Sequence, residues 1–90
     1  MKYSTIILLI LLVGCKQTQK VDCSTLEYVN SKTYQKDILF TGDCNSFYTN
    51  SRIKSYQKYV NGLDDGEWIF YYENGSIQTI GKFEKGKRIG

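Results

Sequence analysis

Histidine, proline and alanine are all missing from this 90-residue chain, and the missing histidine bears most directly on function. Histidine is the commonest general base and metal ligand near neutral pH, so its absence argues against catalysis. The cysteines have no histidine beside them that could activate a thiol nucleophile. We therefore expect a protein that is not an enzyme and that has no catalytic residues, no metal site and no cofactor.

Charge is spread thinly along the chain. Twelve basic and nine acidic residues give a formal net charge of +3, without a block of lysine and arginine. Nucleic-acid-binding proteins concentrate basic residues in such blocks or patches. No nucleic-acid partner is therefore expected.

Long hydrophobic runs are also scarce, and the one near the amino terminus is too short to span a membrane. Ile6 to Val13 are eight uninterrupted apolar residues that follow positively charged Lys2. About 20 such residues are needed to cross a bilayer. Small Gly14 then precedes Cys15, as a cleavage site requires. The sequence thus predicts that residues 1–14 are a cleaved signal peptide.

The residues Leu12-Val13-Gly14-Cys15 resemble the lipobox of bacterial lipoproteins. The resemblance implies that Cys15 is acylated, with palmitate among its lipids, and becomes the first residue of the mature protein. Several acyl chains make a durable anchor where one would be marginal. Lys16 follows, not the aspartate that retains many lipoproteins at the inner membrane, so we expect the outer membrane, facing the periplasm. Residues 15–22 are predicted to be the lipidated cysteine and a flexible tether, and residues 23–90 the folded domain.

Glycine recurs at a fixed spacing in the second half of the chain. Gly42, Gly66 and Gly90 lie 24 residues apart, and residues 43–66 align with residues 67–90. The alignment pairs chemically similar residues, such as Asp43 with Glu67, Tyr48 with Tyr72, Asn50 with Asn74, Ile53 with Ile77, Lys58 with Lys82, and Tyr59 with Phe83. A period in this range is typical of stacked repeats that bury their apolar faces against each other.

Turn signals define the hairpins inside each repeat. Asn74-Gly75 lies between two apolar-aromatic runs and predicts a two-residue type I′ turn. Such a loop opposes Glu67 to Lys82 and Tyr72 to Ile77. In the earlier copy, Asn50-Ser51 at the same place opposes Asp43 to Lys58 and Tyr48 to Ile53, while Asn61-Gly62 and Lys85-Gly86 supply the return turns. The predicted fold is all-β, an antiparallel meander of repeated β-hairpins.

Residues 66–77 and 81–87 resemble the bacterial variant of the MORN (membrane occupation and recognition nexus) repeat. Residues 40–62 are similar to a weaker copy, with Cys44 at the tryptophan position and Ser51 at the turn glycine. The resemblance implies a β-hairpin fold that serves as a scaffold or interaction surface. Proteins of this kind are often labelled antitoxins. The choline-binding cell-wall repeat also combines these residue types, but its period is shorter and its glycine-tryptophan spacing differs.

The predicted register divides the aromatic residues between two faces of the sheet. Trp68, Phe70 and Tyr72 share one face, which is expected to be core because it is the larger. The other face is the candidate binding surface, with Tyr71, Ile69, Ile80 and Tyr56. Tyrosine suits such a surface because its ring is apolar and its hydroxyl is polar.

Two further pairs of residues leave alternatives open. Cys23 and Cys44 are the thiols that remain if Cys15 is acylated, and an exported pair indicates a disulfide. Alternatively, Cys44 is a small core residue and Cys23 lies free in the tether. Asp64-Asp65 could offer oxygens to calcium, but two adjacent acids without an oxygen-rich loop favour a solvated turn.

These observations predict a membrane-anchored, non-catalytic lipoprotein that acts as a protein-interaction or scaffold module of the bacterial envelope. Its expected partners are the membrane, through the lipid anchor, and an envelope protein. The alternatives are a protein that binds envelope glycans or lipid headgroups, and an antitoxin or immunity-type protein.

Overall fold

A computed structural model describes residues 19–90, so the predicted signal peptide and Cys15 lie outside the described residues. Most of the described residues lie in strands and the helical content is one 3-10 turn, which confirms the predicted all-β class. Its elements are β1 Gln19–Asp22, a 3-10 turn Cys23–Thr25, β2 Glu27–Val29, β3 Lys32–Gln35, β4 Ile38–Leu39, β5 Gly42–Phe47, β6 Ile53–Val60, β7 Leu63–Asp64, β8 Gly66–Tyr71, β9 Ile77–Glu84 and β10 Lys87–Arg88.

The larger of two sheets has the strand order β1-β5-β6-β8-β9-β10, and β7 also pairs with β6. Strands β5 to β10 form the antiparallel meander that the sequence predicts. Strand β1 instead pairs parallel to β5, with Val21 beside Cys44. The assignment of residues 19–22 to a flexible tether is therefore wrong. This segment is polar apart from Val21, so only its pairing with a distant strand reveals it as a strand.

The smaller sheet, β2-β3-β4, is antiparallel and separate from the large one. It is joined to the large sheet at the turn between β6 and β7. The Thr33 N–H donates to the Gly62 carbonyl (2.9 Å), and the Gly62 N–H donates to the Phe40 carbonyl (2.8 Å). Gly62 is thus the point where the two sheets meet.

Within residues 19–90, four two-residue loops have positive φ at both central positions, the signature of a type I′ turn. Two of them are the return turns predicted at Asn61-Gly62 and Lys85-Gly86. The other two, Asn30-Ser31 and Lys36-Asp37, connect the strands of the small sheet. The preferred handedness of these turns matches the twist of the strands on either side.

The predicted type I′ turn at Asn74-Gly75 is wrong. Gly75 alone in this loop has positive φ (96°), its N–H donates to the Tyr72 carbonyl (2.9 Å), and Tyr72 pairs with Ser76 instead of Ile77. This geometry is a three-residue loop, a type I turn followed by a left-handed residue. The Asn74 side chain accepts hydrogen bonds from the N–H and hydroxyl of Ser76, which favours this turn.

A β-bulge compensates for the longer loop. Tyr71 pairs with Ile77, Gln78 is the extra residue, and the predicted pairing resumes further along, with Glu67 opposite Lys82. The hairpin β5–β6 is corrected in the same way. There Phe47, not Tyr48, opposes Ile53, Lys54 is the extra residue, and Asp43 opposes Lys58 as predicted.

The buried core is small and lies between the two sheets. Phe40, Cys44 and Tyr59 form its centre, and the half-buried apolar residues packed around them are Val21, Cys23, Leu26 and Trp68. The rings of Phe40 and Tyr59 meet edge to face at 5.9 Å between centroids. A disulfide joins Cys23 to Cys44, whose Cα atoms are 5.0 Å apart, and ties the 3-10 turn to β5.

Candidate functional site

The large sheet has two faces of different character. Directly opposed residues of antiparallel strands project to the same side, and neighbours along a strand alternate. Gly42, Tyr59, Cys44 and Gln57 therefore share one side with Trp68 and Phe70, and we call this side the core face. Asn45, Tyr56, Ile69 and Ile80 share the other side, which we call the open face. The buried core lies on this side, because every member of the core cluster that belongs to the large sheet projects to the core face.

An apolar row crosses the open face. Tyr56 opposes Ile69, and Ile69 opposes Ile80, so the three residues lie side by side on β6, β8 and β9. Tyr71 follows Ile69 by two residues on the same side and pairs with Ile77. The structure thus brings the four residues of the predicted binding surface onto one face. Ile80 is 43% exposed and Ile77 is 53% exposed.

Tyr72, which the sequence predicts to be core together with Trp68 and Phe70, is not part of the buried core. It lies one residue beyond the end of β8 and is 49% exposed. Its N–H donates to the Ser76 carbonyl (2.8 Å) and closes the three-residue loop. The Tyr48 hydroxyl donates to the Tyr71 carbonyl (2.6 Å) and links the tips of the two hairpins.

Charged residues lie along one edge of the apolar row. Asp43 opposes Lys58, and Glu67 opposes Lys82, each two residues along its strand on the same face. The Tyr56 hydroxyl donates to Asp43 Oδ2 (2.7 Å), and this hydrogen bond, with burial and the Asp43 charge, raises the pKa of Tyr56 to about 12. Lys20 Nζ lies 5.8 Å from the centre of the Tyr56 ring. The open face therefore has an apolar row with residues of both charge signs along one edge.

A cleft of about 330 Å³ opens on the core face, between the small sheet and the strands β6 to β8. Its walls include the rings of Tyr59, Trp68 and Tyr28, and Cys23 of the disulfide also lines it. Asp64 and Glu27 are its acidic residues. The sequence did not predict this cleft, because it exists only where the small sheet packs beside β6.

Hydrogen bonds hold the aromatic walls in place. Trp68 Nε1 donates to the Lys58 carbonyl (2.9 Å), and the Tyr59 hydroxyl donates to Gln57 Oε1 (2.8 Å). Gln57 Nε2 in turn donates to the Ser55 hydroxyl (2.8 Å). The two rings meet edge to face with their centroids 5.3 Å apart. The polar atoms of both rings are thus engaged within the protein, and their aromatic surfaces remain to line the cleft.

Partial burial perturbs the titratable groups of the cleft. It raises the pKa of the Asp64 carboxyl, and only the backbone N–H of the same residue acts in the opposite direction. Burial also raises the pKa of the Tyr59 hydroxyl. A hydrogen bond with the Thr33 side chain acts in the opposite direction, and the nearby Asp64 charge acts in the same direction as burial. The cleft therefore holds a carboxylate that is partly withdrawn from water.

Asp64 and Asp65 differ in their surroundings. Asp64 pairs with Tyr59 at the end of β7, and the Asp65 N–H donates to the Lys58 carbonyl (3.0 Å). Within residues 19–90, no cluster of three or more His, Cys, Asp or Glu side chains is arranged to hold a metal ion. In the same part of the chain, no helix has the length and apolarity needed to cross a membrane.

Comparison with known proteins found no match among protein-family models, curated proteins or solved structures. The functional argument therefore depends on the residues and their geometry.

Proposed function

We propose that this chain is a membrane-anchored, non-catalytic repeat lipoprotein that acts as a protein-interaction module of the bacterial envelope. The observation that supports it best is the apolar row Tyr56, Ile69 and Ile80 on the open face, with charged residues along its edge. Protein interfaces combine apolar and aromatic residues at the centre with polar residues at the edge. A partner that covers this row would complete the second side of the sheet.

Strand β1 begins close to Cys15 in the sequence, so a lipid on this cysteine would hold the sheet near the membrane. Only four chain steps separate Cys15 from Gln19, the first residue of β1. At up to ~3.6 Å per residue, an extended chain spans only about 14 Å over this distance. If Cys15 carries the lipid, the sheet is held against the membrane surface, and a partner would meet the open face close to the bilayer.

The two long hairpins support the proposal that residues 40–90 contain copies of one MORN-variant unit. Their loops place Ser51 and Gly75, 24 residues apart, at the same left-handed position, with φ of 73° and 96°. Their bulges fall at Lys54 and Gln78, again 24 residues apart. Because the loop type and bulge recur at aligned positions, a common ancestral unit explains both hairpins.

The proposal is tested by photo-crosslinking in cells that export the full-length protein. A photoreactive phenylalanine replaces Ile80 on the open face, and Ile38 in a matched variant. Ile38 is the more exposed of the two isoleucines (70%) but lies on the small sheet. We expect a discrete protein adduct from position 80 and none from position 38, because only position 80 lies in the apolar row.

A second variant tests the anchor in the same cells. Cys15→Ser should move the protein from the membrane fraction to the soluble fraction and abolish the adduct at position 80. Retention of the serine variant in membranes after a high-salt wash would contradict lipidation. An adduct with glycan or lipid instead of protein at position 80 would favour the glycan- or headgroup-binding alternative. An adduct with an exported toxin would favour an immunity role.

A further inference from the structure

The cleft on the core face combines aromatic walls from both sheets. Tyr59 and Trp68 project from β6 and β8 of the large sheet. Tyr28 opposes Thr33 across β2 and β3, so it projects to the side of the small sheet that holds buried Thr33. Tyr28 is 72% exposed, which places it at the mouth of the cleft. Three aromatic rings therefore border one space.

The charge of this space is negative. Asp64 opposes Tyr59 across β6 and β7, so its side chain projects to the core face beside the Tyr59 ring. Glu27 contributes a second carboxylate, and no lysine or arginine of residues 19–90 lines the cleft. The raised pKa of Asp64 agrees with a carboxylate that lacks a compensating cation. A positively charged ligand would supply the missing cation.

The hydrogen bonds that the cleft's polar groups already make argue against an anionic ligand. The Trp68 N–H and the Tyr59 hydroxyl already donate within the protein. An anion would face two carboxylates and find these donors occupied. Aromatic surfaces attract an alkylammonium group through the ring quadrupole, and carboxylates attract its charge. The volume of about 330 Å³ lies at the lower end of the range for ligand pockets and suits a short alkyl chain.

We propose that the cleft bounded by Tyr28, Tyr59 and Trp68, with Asp64 beside them, binds an alkylammonium group, the chemistry shared by a lysine side chain and a free primary amine. The ammonium lies next to the Asp64 carboxylate, and its carbon chain packs against Trp68 and Tyr59. The cleft is on the opposite side of the sheet from the apolar row, so this inference is independent of the proposed protein interface.

Trp68 reports binding directly because it is the only tryptophan of the chain. The mature lipoprotein in detergent micelles is titrated with Nα-acetyl-lysine methylamide and, separately, with n-pentylamine, at constant ionic strength. The matched controls are the norleucine and glutamate derivatives of the same blocked amino acid. We expect a saturable change in Trp68 fluorescence with at least one of the two amines, and none with either control.

Two charge-matched variants test the role of Asp64. Asp64→Asn should weaken amine binding at least fivefold, because the carboxylate is lost and the shape is kept. Asp37→Asn removes the same charge from an exposed turn outside the cleft and should leave the dissociation constant unchanged. Thermal unfolding of both variants shows whether each keeps its fold. If Asp64→Asn unfolds, Asp64→Glu serves instead and should retain amine binding with a changed dissociation constant.

The titrations show whether the ligand is a lysine side chain or a free amine, and three results would overturn the proposal. Saturable binding of the blocked lysine indicates a peptide-borne side chain, and binding of pentylamine alone indicates a free amine. Equal binding of the norleucine derivative would overturn the proposal in favour of an apolar site. Unchanged binding in Asp64→Asn, or no saturable response to either amine, would also overturn it. None of these results alters the expected crosslink at position 80.

Discussion

At the scale of single residues, the hydrogen bond from Tyr56 to Asp43 connects the open face to a measurable property. It raises the pKa of Tyr56 to about 12, above the usual value of 10.0. Spectrophotometric titration of the folded protein should therefore show that Tyr56 ionises later than an unperturbed tyrosine, as should Tyr59, whose pKa is raised by burial. Asp43→Asn should bring the Tyr56 ionisation to lower pH, and Tyr56→Phe should remove it while the Tyr59 ionisation remains.

The direction of the linked stability change follows from the same shift. Tyr56 keeps its proton in the folded state to a higher pH than in the unfolded state. Its contribution to stability is complete below pH 10 and is lost as the pH rises from about 10 to about 12. In Tyr56→Phe, the free energy of unfolding should therefore decrease less between about pH 10 and about pH 12. An identical alkaline profile in both proteins would show that the hydrogen bond does not persist in solution.

At the scale of the elements, two glycines in equivalent turns differ in what surrounds them. Gly62 and Gly86 are both the second residue of a type I′ turn, with φ of 80° and 85°. A Cβ on Gly62 would lie 2.9 Å from the Thr33 carbonyl oxygen and 2.7 Å from Leu39 Cδ2, whereas one on Gly86 would lie 3.6 Å from the nearest atom of Leu63.

Gly62→Ala should therefore destabilise the protein more than Gly86→Ala. Both substitutions carry the strain of a left-handed alanine, about 1–2 kcal/mol. Only the first forces the small sheet away from the turn, and overpacking of this kind adds about 1–3 kcal/mol. Chemical denaturation of the two variants measures the difference. Equal losses in free energy of unfolding would mean that the small sheet does not pack on this turn.

At the scale of the whole molecule, the disulfide Cys23–Cys44 ties the segment that precedes the small sheet to the large one. The core around it is small, and a domain of this size buries a limited share of its surface. A cross-link over 21 residues stabilises by about 3 kcal/mol in the chain-entropy description. Reduction should therefore lower the melting temperature markedly.

Thiol labelling of the natively exported protein checks the same point. No thiol should react in denaturant until a reductant is added, and Cys23→Ser should free one thiol, that of Cys44. Because Cys44 is fully buried, it should react in the variant only after unfolding. Complete labelling of both cysteines in unreduced, denatured protein would show that the exported protein lacks this disulfide.

The sequence by itself determined the features that depend on near neighbours. Asn61-Gly62 and Lys85-Gly86 predicted their turns because positive φ is a local preference. Opposite charges then marked the register of each hairpin, with Asp43 facing Lys58 and Glu67 facing Lys82. The alternation of side chains in β8 set Trp68 and Ile69 on opposite faces. These features could be predicted because each depends on residues within one hairpin.

The structure also decided between two loops at Asn74-Gly75. Asn-Gly is compatible with a type I′ turn and with a type I turn that ends in a left-handed glycine, and the bulge at Gln78 accompanies the second. The choice depends on hydrogen bonds from Ser76 to the Asn74 side chain, which the residue pair Asn-Gly alone does not specify.

Tertiary structure alone decided the pairing of β1 and the cleft. β1 becomes a strand only beside β5, and the cleft exists only where the small sheet meets Gly62. Both depend on contacts between distant segments, whose energy a local pattern does not contain.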